Sequence, residues 1–138
     1  MRRLGDQVGV LKRSREQRHR AIPAGFQPCP AVIIKRGENG SLLFTPDRVF
    51  LAPAHPLETV RDPTGAGDAF AGGLMGAIAR SGDGQDVLRR GMLYGSVLGS
   101  LAVEDFSVRR IMQADQGEVE ARLSTLVDMI SLDGARAT

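Results

Sequence analysis

Asp62-Pro-Thr-Gly-Ala-Gly-Asp68, running straight on into Ala69-Phe-Ala-Gly-Gly-Leu-Met-Gly-Ala-Ile-Ala79, is the stretch on which the fold turns. Phe70, Leu74 and Ile78 recur every four residues, which is the spacing of an amphipathic helix. Gly65, Ala66 and Gly67 therefore sit where a loop turns into that helix. The first N–H groups of a helix have no partner inside it and point outward with the positive end of the dipole behind them. Small residues let an anion come close, so the segment predicts a phosphate-binding nest. Asp68 falls in the first turn beside it. A carboxylate there either complements the dipole and caps free donors, or takes a proton from a hydroxyl that attacks a bound phosphate. Neither a Walker A sequence nor G-x-G-x-x-G is present. Ala69, Ala71, Gly72, Gly73 and Gly76 suggest that the helix packs closely against other backbone, since glycine within a helix otherwise costs about 1 kcal/mol against alanine.

Upstream, Ala31-Val-Ile-Ile-Lys35 reads as a buried β-branched strand, and Gly37-Glu-Asn-Gly40 as a turn. Ser41–Phe44 and Val49–Ala52 read as two more strands, parted at Pro46-Asp47 and ended by Pro53 and Pro56. Downstream, Ser81-Gly-Asp-Gly84 stops the first helix. A second spans about Gln85–Val103, with Leu88, Met92, Val97, Leu98 and Leu101 inward. A third spans about Glu118–Ile130, with Val119, Leu123, Leu126, Val127 and Ile130 on one stripe. Glu104-Asp105 reads as a helix-end charge pair facing water, His19 and His55 as solvated, and the methionines as core filler.

The 138 residues suffice for one ordinary domain, and 42% apolar with 25% charged residues is a globular profile. No apolar run reaches the ~18 residues of a membrane span, so no membrane partner is expected. Cys29 lies between prolines with no neighbouring base, and a lone cysteine forms no internal disulfide; the cytoplasm is the expected compartment. The net charge of +2 splits into +5 over residues 1–20 and −3 over the rest. That basic arm suits a solvated helix end or an anionic partner. With 4% aromatic residues, no stacking platform for nucleic acid is visible.

Asp62-Pro-Thr-Gly-Ala-Gly-Asp-Ala-Phe-Ala-Gly-Gly73 closely resembles the second signature of the PfkB/ribokinase family of carbohydrate kinases, D-T-x-G-A-G-D followed by a glycine-rich helix. Val32-Ile-Ile-Lys-Arg-Gly37-Glu-Asn-Gly40 is similar to the family's strand and K/T-x-G-x-x-G turn beside the nucleotide. Tyr94-Gly-Ser96 and Leu101-Ala-Val-Glu-Asp-Phe106 are similar to its later helix and loop on the adenine side. The resemblance covers residues 31–130. It implies an α/β, ribokinase-like fold with a partial central sheet flanked by helices. It also implies phosphotransfer from ATP, with Mg²⁺, to a hydroxyl of a sugar or nucleoside.

Residue by residue, Asp68 matches the family's catalytic base, and Gly65, Ala66 and Gly67 its anion hole. Lys35, Gly37 and Gly40 match the nucleotide-facing turn, and Ser96 falls near the adenine. Asp62 and Thr64 match ligands of a monovalent cation such as K⁺, with Pro63 standing where the family has Thr. Family members are roughly twice as long, with an N-terminal half that supplies a lid, most sugar contacts and an N-x-x-E motif. The expectation is thus a basic, poorly matching segment over residues 1–30 and the C-terminal part of a kinase domain over 31–138, weak or inactive as a kinase on its own. The alternative is a truncated, non-catalytic remnant, or an interaction module with a basic N-terminal arm.

Overall fold

The computed structural model describes residues 31–131; the basic arm, His19 and Cys29 lie outside the described residues. Three strands, β1 (Val32–Lys35), β2 (Ser41–Phe44) and β3 (Val49–Ala52), form one antiparallel sheet in the order β1-β2-β3. Four helices follow among the described residues: α1 (Ala66–Ser81), α2 (Gln85–Val103), α3 (Arg109–Gln113) and α4 (Gln116–Ile130). The strand boundaries and the second helix fall where residue type and spacing put them. The short α3 has no signal in the sequence, because five residues carry no helical period. No described helix is long and apolar enough to cross a membrane.

Register decides which strand residues meet the helices. Ile33, Leu43 and Phe50 lie across from one another, as do Lys35, Ser41 and Ala52. Both rows share the face that α2 covers, since successive strand side chains alternate. Leu43 and Ala52 are buried there with Met92, Val97 and Leu101. On the other face Val32, Ile34, Val49 and Leu51 remain nearly half exposed, at 46–48%. The expectation of a buried first strand therefore fails on one face, because among the described residues no second layer covers it.

The first two helices pack antiparallel through their glycines. A Cβ on Gly73 would lie 2.8 Å from the Gly95 backbone nitrogen, and one on Gly95 would lie 2.7 Å from the Phe70 carbonyl. Both contacts are closer than a methyl group allows, so the two backbones touch where the sequence predicted close packing. Leu123 and Leu126 of α4 complete the core, whereas Val127 and Ile130 are exposed, against the predicted stripe. Met92 is the one core methionine among the described residues; Met75, Met112 and Met129 face outward. Asp115 caps α4, its side chain accepting from the Glu118 N–H at 2.8 Å.

Glu104 does not face water. It accepts from Arg122 at 2.8 and 2.9 Å and from Arg110 at 3.0 Å, and Glu118 binds the same two arginines. This half-buried network ties α3 and α4 to the C-terminal end of α2. Asp105 lies 3.9 Å from Arg61.

Candidate active site

The loop before α1 is set by its own chemistry. Asp62 accepts a hydrogen bond from the Thr64 N–H at 2.9 Å. The side-chain and backbone bonds from Thr64 hold the Asp62 carboxyl below its ordinary range. Gly65 is the N-cap at φ 84°, a left-handed conformation that glycine adopts without a Cβ penalty. Ala66 N–H reaches the Pro63 carbonyl, and Ala69 N–H the Gly65 carbonyl. The N–H groups of Gly67 and Asp68 have no partner among the described residues, and no side chain caps them. The Asp68 carboxylate, exposed on the first turn, makes no hydrogen bond to a described residue. It caps nothing, so of its two sequence-level roles the capping one has no support in the geometry.

A cleft of about 630 Å³ opens between this helix start, the ends of the strands and the glycine side of α2. That volume is ample for a nucleotide-sized ligand. Lys35, Gly37, Gly40, Ala66, Gly67 and Ser96 all line it, so residues far apart in sequence meet around one cleft. The Lys35 ammonium sits at the start of α1: it donates to the Gly67 carbonyl at 3.3 Å and lies 5.9 Å from the centre of the Phe70 ring. Gly40, at φ 76°, lets the turn lie against β3, since a Cβ there would meet the Ala52 carbonyl at 2.2 Å. Asp62, Thr64, Gly65 and Asp68 are not among the lining residues. A hollow of about 50 Å³ beside Arg48 and Arg89 is too small for such a ligand.

Two residues of the cleft escaped the sequence reading. His55, expected to be solvated, lines the cleft, and its Nδ1 is buried without a partner. Burial pushes its pKa below 6.5 and Arg122 adds to this, while the Pro56 backbone and Glu104 pull the other way. Ser41, 1% exposed, also lines the cleft with its hydroxyl unpartnered. Each orphan atom costs on the order of 1–3 kcal/mol. The alternation of β2 could have placed Ser41 on the covered face; nothing local could have buried His55, because Arg122 and Glu104 lie far along the chain.

Among the described residues no three His, Cys, Asp or Glu side chains gather as a metal cage. A magnesium ion carried on nucleotide phosphates and water needs no such cage.

The model of the pfkB family of carbohydrate kinases matches residues 8–113. The bifunctional protein HldE of Pseudomonas fluorescens is 34% identical over 113 residues, covering 78% of this chain and 23% of that protein. A Burkholderia thailandensis nucleoside kinase solved with inosine is 32% identical, with a TM-score of 0.62 over 72% of this chain and 31% of that one. A Vibrio cholerae fructokinase double mutant, solved with fructose, ADP and potassium ion, is 30% identical, with a TM-score of 0.61 over 80% of this chain and 35% of that one. The chain thus spans about a quarter of the curated relative and about a third of each solved chain.

Proposed function

Since the chain belongs to the pfkB family of carbohydrate kinases, we propose that it carries the nucleotide side and the general base of an ATP-dependent kinase acting on a hydroxyl of a sugar or nucleoside. One observation carries the reading. Gly67 with its unpaired N–H at the start of α1, Lys35 and the glycine side of α2 line one cleft of nucleotide size.

In this reading the phosphates of MgATP lie at the Ala66-Gly67 end. The free N–H groups of Gly67 and Asp68 and the helix dipole hold the charge that spreads over the transferring phosphoryl group. Gly65 shapes that nest through its left-handed φ. Lys35 leaves the Gly67 carbonyl for a phosphate oxygen. Gly37 and Gly40 keep the turn close to the nucleotide, and Ser96 faces the base. A magnesium ion brought with the nucleotide would offset the charge of the phosphates.

The acceptor hydroxyl approaches Asp68 from the open side of the turn. As its oxygen attacks the γ-phosphorus, its proton passes to the Asp68 carboxylate and the bond to the leaving ADP breaks. Asp62 and Thr64 are assigned a monovalent cation beside the nest. The Thr64 N–H donates to one Asp62 oxygen at 2.9 Å, which fixes the carboxylate beside Thr64. The fructokinase neighbour, solved with fructose, ADP and potassium, and the nucleoside kinase neighbour, solved with inosine, support these ligand classes.

Asp68→Asn tests the assignment in protein that phosphorylates a sugar or nucleoside from a panel. Turnover should fall by about 10²–10⁴-fold, the usual worth of a general base, with ATP affinity unchanged. Turnover at the parent rate would overturn it.

A further inference from the structure

Val103 ends α2, so its carbonyl has no partner farther along the helix. It accepts instead from the loop before α1: the Arg61 N–H donates at 2.8 Å and the Asp62 N–H at 3.2 Å. Arg61 also reaches Asp105, at 3.9 Å. Two N–H groups on one carbonyl make the end of α2 the anchor of that loop. From this anchor the chain runs two residues to Thr64, whose N–H binds the Asp62 carboxylate. It continues to the left-handed Gly65 and to Gly67 and Asp68, whose N–H groups have no partner among the described residues. Where that turn stands thus depends on where the Val103 carbonyl stands.

The end of α2 is itself held from the other side. Glu104, the residue after Val103, spends both carboxylate oxygens on Arg122, at 2.8 and 2.9 Å, and one of them also on Arg110, at 3.0 Å. Arg122 also donates to Ser100 Oγ at 2.9 Å, so it grips α2 at two points one turn apart. The chain then turns away through Ser107 at φ 60°, a left-handed conformation that a non-glycine residue keeps only where its surroundings hold it. Glu118 binds the same two arginines, but from α4. Both glutamates neutralise the arginines. Only Glu104 shares a planar peptide unit with the anchoring carbonyl.

We propose that Glu104 is a positioning residue: gripped by Arg110 and Arg122, it fixes the Val103 carbonyl, and through Arg61 and Asp62 it sets the turn that opens α1. Its effect on phosphate binding rests on the nucleotide reading of the cleft; its effect on the loop does not.

The test is amide hydrogen exchange by NMR on the full chain, joined to calorimetric binding of inorganic tripolyphosphate. In Glu104→Ala the Arg61 and Asp62 amides should exchange about tenfold faster relative to those of the buried α2 residues Met92 and Val97, the worth of one hydrogen bond. Glu104→Gln keeps the length and an acceptor and loses the charge. It should show a rise of about threefold, half that energy, and it carries the comparison should the alanine variant fail to fold. Glu118→Gln removes charge from the same cluster and should leave the ratio of loop to α2 exchange unchanged. Tripolyphosphate should bind severalfold more weakly to the Glu104 variants and with parent affinity to Glu118→Gln.

Loop amides that rise no faster than the α2 amides in the Glu104 variants would overturn the proposal, since the cluster would then serve stability alone. Equal loop opening in Glu118→Gln would do the same. Opened loop amides with unchanged tripolyphosphate affinity would overturn the reach of Glu104 to the turn and keep its hold on the loop. Absence of tripolyphosphate binding by the parent chain would overturn the nucleotide reading, and the exchange ratio would still decide the role of Glu104.

Discussion

Glu118 accepts hydrogen bonds from Arg110 and Arg122 and is held below its ordinary carboxyl value of 4.5, chiefly by the Arg110 bond. A carboxyl depressed in the folded state stabilises it above the unfolded pKa, and that stability is lost as pH falls through the folded value. Melting temperature should therefore drop as pH falls below 4.5, and in Glu118→Gln the drop should be shallower, with lower stability at neutral pH. Equal acid profiles for the two proteins would show that the pair carries no weight. The same scale separates what local chemistry can disclose from what it cannot. Gly65 announces its left-handed turn and Asp68 its place in a helix start, because both depend on residues next to them. Glu104 reads as solvated because Arg110 and Arg122, which pair with it, come from α3 and α4, and no neighbour in sequence hints at it.

The contact between α1 and α2 is one of backbones. Gly73 and Gly95 leave no room for a methyl group, whereas Gly72 faces open space, with nothing within 4 Å of where a Cβ would stand. Gly73→Ala should destabilise by about 1–3 kcal/mol, the usual cost of overpacking, since only backbone atoms stand in the way. Gly72→Ala should stabilise by up to about 1 kcal/mol through helix propensity alone. Chemical denaturation of the two variants checks both signs, and a destabilised Gly72→Ala together with a neutral Gly73→Ala would refute the packing. The sequence showed that the first helix is rich in small residues. It could not tell the glycines in the contact from those in water, because that depends on the rotation of α1 against α2.

At the level of the whole molecule the two sheet faces carry different weight. Leu43 is 2% exposed in the core and Leu51, on the open face, is 48% exposed. Leu43→Ala should cost about 2–5 kcal/mol and Leu51→Ala less than about 1 kcal/mol. Equal losses in equilibrium unfolding would mean that a further layer covers the open face. The cleft is a feature of this scale too. Strand ends, the first turn of α1 and the glycine side of α2 each supply a part, and none is a site alone.

By itself the sequence determined the strand and helix periods, the turn at Gly37–Gly40, the loop-to-helix turn at Gly65–Gly67 and the place of Asp68 in the first helical turn. These follow from short-range sterics, side-chain alternation and the unpaired N–H groups of a helix start. The tertiary structure alone decided that the Lys35 ammonium lies over Gly67, that Ser41 and His55 each bury an unpartnered polar atom, and that among the described residues one sheet face stays open. Those outcomes depend on how the layers meet, because burial and pairing are set by atoms distant in sequence.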